Sequence, residues 1–220
     1  MSLNNVLVYV DEGSEASLQA AAIYARDNKA ALTACHVLTP LEPAVYGASG
    51  TFGLVAEKHM NWLSEKATRL QHQVENTAKK YNISIHWRQI EGRLIDVLRE
   101  EMLYQDLLIV SLNTTGITTP VLGGTILSSG CSALVLPKHW HEGAIGKKIA
   151  LAWKPERSSK RATNAALPLL QKAEETVLLS VCKPNNVGQL EDSQTRLKAW
   201  LVEHGVVSQC RVAARSQEST

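Results

Sequence analysis

The chain has 220 residues, 45% of them hydrophobic and 20% charged, and its 23 basic and 21 acidic residues leave a net charge of +2. That aliphatic content excludes a disordered chain, and the near-neutral balance gives no strong field for nucleic acid or for an acidic membrane. No apolar run reaches the ~20 residues that a bilayer span needs, and the polar opening before the short run Val6–Val10 does not read as a secretory signal. A cytoplasmic protein with no nucleic-acid and no membrane partner is expected. Cys35, Cys131, Cys182 and Cys210 are widely spaced and form no CxxC pair. Four reduced, buried thiols are therefore expected.

Val6–Val10 is a continuous apolar run of strand length, the pattern of a parallel strand covered on both faces. Asp11-Glu-Gly-Ser14 breaks it. Ser14 is a natural N-cap, and Leu18, Ala21, Ala22 and Ala25 stripe the helix that follows. Ala31–Val37 reads as a second strand, and Pro40, Pro43, Gly47, Gly50 and Gly53 mark a loop. Leu54–Lys80 is a long helix, with Trp62, Leu63, Ala67, Leu70 and Val74 on its core face and Glu57, Lys58, Glu65, Lys66 and Lys79 elsewhere. Ile83–Trp87 is a third strand, Arg93–Tyr104 a helix and Asp106–Val110 a fourth strand. After a Thr/Gly-rich loop comes a fifth, Ser132–Leu136, ended by Pro137. Strands alternating with helices imply an α/β fold with a parallel sheet and right-handed crossovers.

Beyond a linker at 139–147 the pattern restarts. Ile149–Trp153 resembles the opening strand, with Ser158 or Ser159 as the cap of a helix through Leu169. Thr176–Val181, a helix Leu190–His204 with Gly205 as its C-terminal cap, and Val206–Val212 follow in the order of the first copy. The expected organisation is one complete domain, 1–138, and a partial second, 148–220, with strands 1–3 only. A half sheet of this kind exposes a strand edge. Either something else covers the edge or the chain is a truncated form of a longer protein; truncation is the favoured reading.

Val6–Ser14, Cys35-His36-Val37, Trp87-Arg88 through Glu91-Gly92, Val121-Leu-Gly-Gly124, Ala133–Pro137, Ile149–Trp153 and Ala165–Leu170 together resemble the universal stress protein family. More narrowly they are similar to its bacterial tandem type, here with the second domain truncated. The resemblance implies an open parallel five-stranded sheet of order 3-2-1-4-5 with helices on both faces. It also implies a nucleotide crevice where strand order reverses, between strands 1 and 4. Its acidic position falls on Asp11 and its strand 2 valine on Val37. The family's phosphate loop, G-x-x-G then nine residues then G-[ST], matches in part. Ser111 stands where the first glycine belongs, Gly116 follows, and Gly124-Thr125 supplies the terminal pair. The spacing from Gly116 to Gly124 is short, Pro120 interrupts it, and only about one helical turn is expected between Gly124 and Cys131. Trp153-Lys154-Pro155 replaces the acidic residue in the second copy. ATP is therefore a possible cofactor of a degenerate site.

No P-loop, nucleophile elbow, HExxH or kinase set occurs, and no nucleophile is paired with a base. Cys35 and His36 are adjacent in a strand and point to opposite faces. His139-Trp140-His141-Glu142 offers metal-ligand types but no complementary Cys/His cluster, so it reads as linker. The expectation is a non-enzymatic stress-response protein acting through a protein partner or by homo-oligomerisation, with Ser132–Leu136 as the family's dimerising edge. The alternative is an ATP-binding or weakly ATP-hydrolysing protein using the Asp11/Gly124 crevice.

Overall fold

A computed structural model describes residues 3–40, 52–137, 140, 143 and 145–214. Pro43, Gly47 and Gly50 of the expected loop, and His139, His141 and Glu142 of the candidate metal cluster, lie outside the described residues. The chain divides into two compact units, Leu3–Gly143 and a smaller one within Ala144–Thr220.

The larger unit runs β1 (Asn5–Tyr9), α1 (Glu15–Asn28), β2 (Ala31–Leu38), α2 (Phe52–Tyr81), β3 (Ile85–Glu91), α3 (Leu94–Met102), β4 (Leu107–Ser111), α4 (Thr119–Ser129) and β5 (Ser132–Leu136). Its five strands are all parallel, in the expected order β3-β2-β1-β4-β5. Alternation along the strands sends Leu7, Tyr9, Cys35, Val37, Leu108 and Val110 to one face. There they pack with Val97, Leu98 and Met102 of α3 and Leu122 of α4. On α1 and α2, Ala22, Ile23 and Tyr81 form a second cluster, joined by Ile83.

Several boundaries depart from the periodicity for local reasons. Ser14 occupies the α1 N-cap position, but its hydroxyl accepts from the Asp11 N–H (3.3 Å) and caps nothing in the helix. β3 starts at Ile85 rather than Ile83, because Asn82 ends α2 in the left-handed region and the Ile83 N–H returns to Ala78 O. β4 starts after Asp106, whose carboxylate accepts from the Asn4 and Asn5 N–H groups (2.9 Å each). Pro120 opens α4 instead of interrupting it. It sits in the first turn, where no N–H is missed, and Thr118 caps that turn, so α4 starts five residues before Gly124 and has 11 residues, with Thr125–Ser129 in the stretch where about one turn is expected. Cys35 and Cys131 are buried as expected, whereas Cys182 is half-buried and Cys210 exposed.

The smaller unit runs β6 (Lys148–Ala152), α5 (Arg157–Leu170), β7 (Glu175–Cys182), α6 (Val187–Glu203) and β8 (Gln209–Ala214), with a parallel three-stranded sheet of order β6-β7-β8. Glu156, rather than Ser158 or Ser159, occupies the α5 N-cap position. α6 ends as expected at Gly205. The Val206 N–H bonds Leu201 O and the Gly205 N–H bonds Val202 O, with Val206 packed in the core beside Leu201. That closure keeps Val206 out of β8, which begins three residues later than the periodicity suggested. Leu151, Leu170, Leu178, Leu197 and Leu201 fill the core under α5 and α6.

Truncating Leu98, 1% exposed among the α3 and sheet side chains, removes a well-packed core group. Leu98→Ala is expected to cost about 2–5 kcal/mol in urea unfolding.

Candidate functional site

The crevice lies at the C-terminal ends of β1 and β4, where strand order reverses. Asp11 follows β1 and is buried with Lys66 of α2, to which it is ion-paired. Its Oδ1 also accepts from the Glu12 N–H (2.6 Å), and its Oδ2 from the Tyr9 hydroxyl (2.9 Å). Burial, with the neighbouring Asp11 charge, pushes the Tyr9 phenol far above its usual range, so Tyr9 stays a donor. The Lys66 ammonium lies 5.1 Å from the centre of the Trp62 ring, a cation–π contact. Lys66 therefore does not belong with the exposed charges of α2. It stands three residues after Leu63 and four before Leu70, on the buried stripe, and that spacing was the signal available in the sequence. Trp62, conversely, is 46% exposed.

His36 is buried beside this pair, on the opposite sheet face from Cys35. Its Nδ1 lies 2.8 Å from the Val10 carbonyl, which can only accept, so the proton sits on Nδ1. Nε2 has no hydrogen-bond partner among the described residues, and the ring stacks on Trp87. Burial holds the imidazole below its usual range; the Val10 carbonyl and Asp11 oppose that, and Lys66 adds to it. Burial also pushes the Cys35 thiol up to about 12 and Cys131 to about 11, so neither is a ready nucleophile.

The loop after β4 closes on the loop after β1. The Thr115 N–H donates to Glu12 O (2.8 Å). Gly13 has φ +78°, and a Cβ there would run into the Asn113 carbonyl. Ser111 is buried, and its hydroxyl accepts from the Asn113 N–H (3.2 Å). The N–H groups of Leu112, Thr114 and Ile117 are bonded to Leu136, Ser111 and Thr114 carbonyls. Gly116, at φ +82°, makes the turn under Leu94. At the start of α4 the Val121 N–H goes to Thr118 Oγ1 (3.4 Å), the Leu122 N–H to Thr118 O (2.9 Å), and Pro120 has none. Gly124 and Thr125 lie in the second turn of α4, with the Thr125 hydroxyl on Val121 O (2.6 Å). Val37 is in the core on the α3 side of the sheet. The structure thus brings Asp11, Ser111 and Gly116 to one end of the sheet, and places Val37 and Thr125 in packed interior positions.

The smaller unit repeats the underlying geometry. The Trp153 N–H bonds Leu179 O as the Val10 N–H bonds Cys35 O, and the Ser180 hydroxyl donates to Trp153 O (2.7 Å) where His36 meets Val10 O. From α6, Gln194 Nε2 reaches Ser180 Oγ (2.8 Å). The Asp11 position falls on Lys154, ion-paired with Glu156. Among the described residues no group of three metal-ligating side chains occurs, and no helix is long and apolar enough to cross a membrane.

No protein-family model and no curated protein matches the sequence. Similarity appears in three dimensions. A universal stress protein from Archaeoglobus fulgidus superposes with a TM-score of 0.74 at 11% identity, over 98% of this chain and 80% of its own. The universal stress protein UspA from Lactobacillus plantarum superposes with a TM-score of 0.50 at 15% identity, over 62% of this chain and 99% of its own. The fold is that of universal stress proteins.

Removing one partner of a buried pair strands the other charge. Lys66→Met is expected to cost about 3–5 kcal/mol in urea unfolding, and the double variant Asp11→Asn/Lys66→Met to regain most of that. His36 binds fewer protons folded than unfolded at mildly acidic pH, so stability falls as pH drops below about 6.5, through the unfolded pKa towards the folded one. His36→Asn is expected to flatten that limb in unfolding measured from pH 7 to 5.

Proposed function

We propose that this chain is a cytoplasmic universal stress protein of the tandem type, and that it acts without turnover, through a protein partner or its own copies. The matching bond pattern in the two units supports the tandem reading. One observation carries the rest: the carboxylate that would meet a ribose, and seven N–H groups of the loop and first α4 turn, are engaged within the protein. Asp11 is held by Lys66, Tyr9 and Glu12, and the Leu112, Asn113, Thr114, Thr115, Ile117, Val121 and Leu122 N–H groups by carbonyls and hydroxyls nearby. A bound triphosphate would have to break several of these bonds, each worth about 1 kcal/mol net and more to the charged groups.

Titration calorimetry with ATP, alongside an assay for released phosphate, tests this. No saturable heat up to millimolar ATP and no phosphate release are expected. Micromolar binding without turnover would restore the ATP-binding alternative, and turnover would make the chain an enzyme. For self-association the candidate is the free edge of β5, where Val135 is 38% exposed. Val135→Lys places a charge on that edge, and sedimentation should show a wild-type dimer reduced to monomer.

A further inference from the structure

α2 is about twice as long as its neighbour. Its 30 residues rise about 45 Å, against about 21 Å for the 14 residues of α1. Among its described side chains, those it buries run from Leu63 onward: Lys66, Ala67, Leu70, Val74 and Tyr81 follow. Between Val55 and Trp62 none is buried. Glu15, the first residue of α1, lines a cavity of about 420 Å³ together with Arg69, so α1 comes level with α2 only there. The turns of α2 before that point have no helix beside them in the larger unit.

A stretch of about three turns is too short to be held in water by its own hydrogen bonds, so its side chains show what supports it. Val55, Lys58, Trp62 and Glu65 recur at spacings of three, four and three residues, the seam along which one helix meets another. Val55 and Trp62 are exposed. Tryptophan is the residue type that most often anchors a protein contact. The Trp62 ring is already held in place, by the Lys66 ammonium on one hand and by the His59 ring, 5.8 Å between centroids, on the other. Lys58 and Glu65 make no ion pair among the described residues.

The order of these charges decides the occupant. Lys58 and Glu65 lie on either side of Trp62, about 10.5 Å apart along the axis. If two copies of the helix pack antiparallel about a two-fold axis midway between them, Lys58 of each faces Glu65 of the other, and both Trp62 rings fall beside the axis. Asn61 and Thr68, which flank the seam, add no like charge. A parallel pair would set Lys58 against Lys58 and Glu65 against Glu65, which repel. The area decides the strength. A seam about 20 Å long and one helix, ~10 Å, wide spans roughly 200 Å² in plan, against about 800 Å² per partner in a standard interface. The contact is therefore weak and reversible.

We propose that the exposed first turns of α2 pair antiparallel with the same turns of a second copy of this chain, Trp62 against Trp62 and Lys58 against Glu65 in both directions. The contact rests on the reading that the chain acts through its own copies, but not on the β5 edge. Sedimentation equilibrium of the Val135→Lys chain, whose β5 edge is closed, should show monomer at about 10 μM and dimer with a Kd on the order of 100 μM. In that background Lys58→Glu, Glu65→Lys and Trp62→Ala, all at exposed positions where folding is checked by circular dichroism, should each weaken association at least tenfold. The double reversal Lys58→Glu/Glu65→Lys should return it to within about threefold of the parent, because every facing pair is again of opposite sign. No association up to about 500 μM overturns the proposal. So does a dimer indifferent to Lys58→Glu, or a double reversal no better than its single members. The β5 contact is judged separately, from the mass of the wild-type chain at about 10 μM, so either contact can fail while the other stands.

Discussion

The buried pair of Lys66 and Asp11 fixes the functional end of the larger unit. Moving an ammonium and a carboxylate out of water costs several kcal/mol per ion, and the pair offsets that only when further hydrogen bonds complete it. Tyr9 and the Glu12 N–H supply them. The result ties the end of β1 to α2 at the point where strand order reverses and where α/β sheets place their ligands. The Asp11 carboxylate is a structural anion with its own counterion. His36 lies beside this pair. Burial deep in the sheet, with Lys66 adding to it and Asp11 opposing it, holds the imidazole below its usual range, and Nδ1 holds the Val10 carbonyl.

The loop after β4 shows how the same surroundings dispose of backbone donors. A buried N–H must find an acceptor. A phosphate loop leaves several such groups aimed at empty space, which glycines allow and bulkier neighbours do not. Here Ser111 bonds the Asn113 N–H, and the turn through Thr114 and Thr115 closes onto Ser111 and Glu12. Thr118 and Pro120 then start α4 early and remove the donors at its first turn. Both changes engage the Asn113, Thr114, Thr115 and Val121 N–H groups without a ligand, while the buried Thr114 hydroxyl has no hydrogen-bond partner among the described residues. They also place Gly124 and Thr125 in the second turn of α4 rather than at its start.

Much of the fold is legible in the sequence, because apolar runs such as Val6–Val10 and stripes such as Leu94, Val97, Leu98 and Met102 report burial directly. The resemblance supplied the strand order, which periodicity alone does not. What the pattern missed is consistently a polar group answering a tertiary neighbour. Lys66 reads as a surface residue until Asp11 is placed beside it. Ser14 reads as a cap until its hydroxyl is seen turned to Asp11. The late starts of β3 and β8 follow from left-handed residues, Asn82 and Gly205, closing the preceding helices with five-residue bonds that draw Ile83 and Val206 into packing. A window of alternating hydrophobicity cannot separate a residue packed beneath a helix end from the first residue of a strand.

The two units share a backbone plan, yet their polar ends have diverged in opposite senses. In the larger unit an acid after β1 pairs with a lysine from α2; in the smaller one a lysine takes the acid's place and pairs locally with Glu156. Two bonds recur in both: the N–H just after the first strand reaches the second strand (Val10 to Cys35 O, Trp153 to Leu179 O), and the carbonyl of that same residue takes a side-chain bond, from His36 in one and Ser180 in the other. Neither bond involves a ligand. Among the described residues, the face of β6 and β7 that carries Leu179 and Val181 is exposed. Parallel strands draw their stability from cover on both sides, and α5 and α6 supply only one.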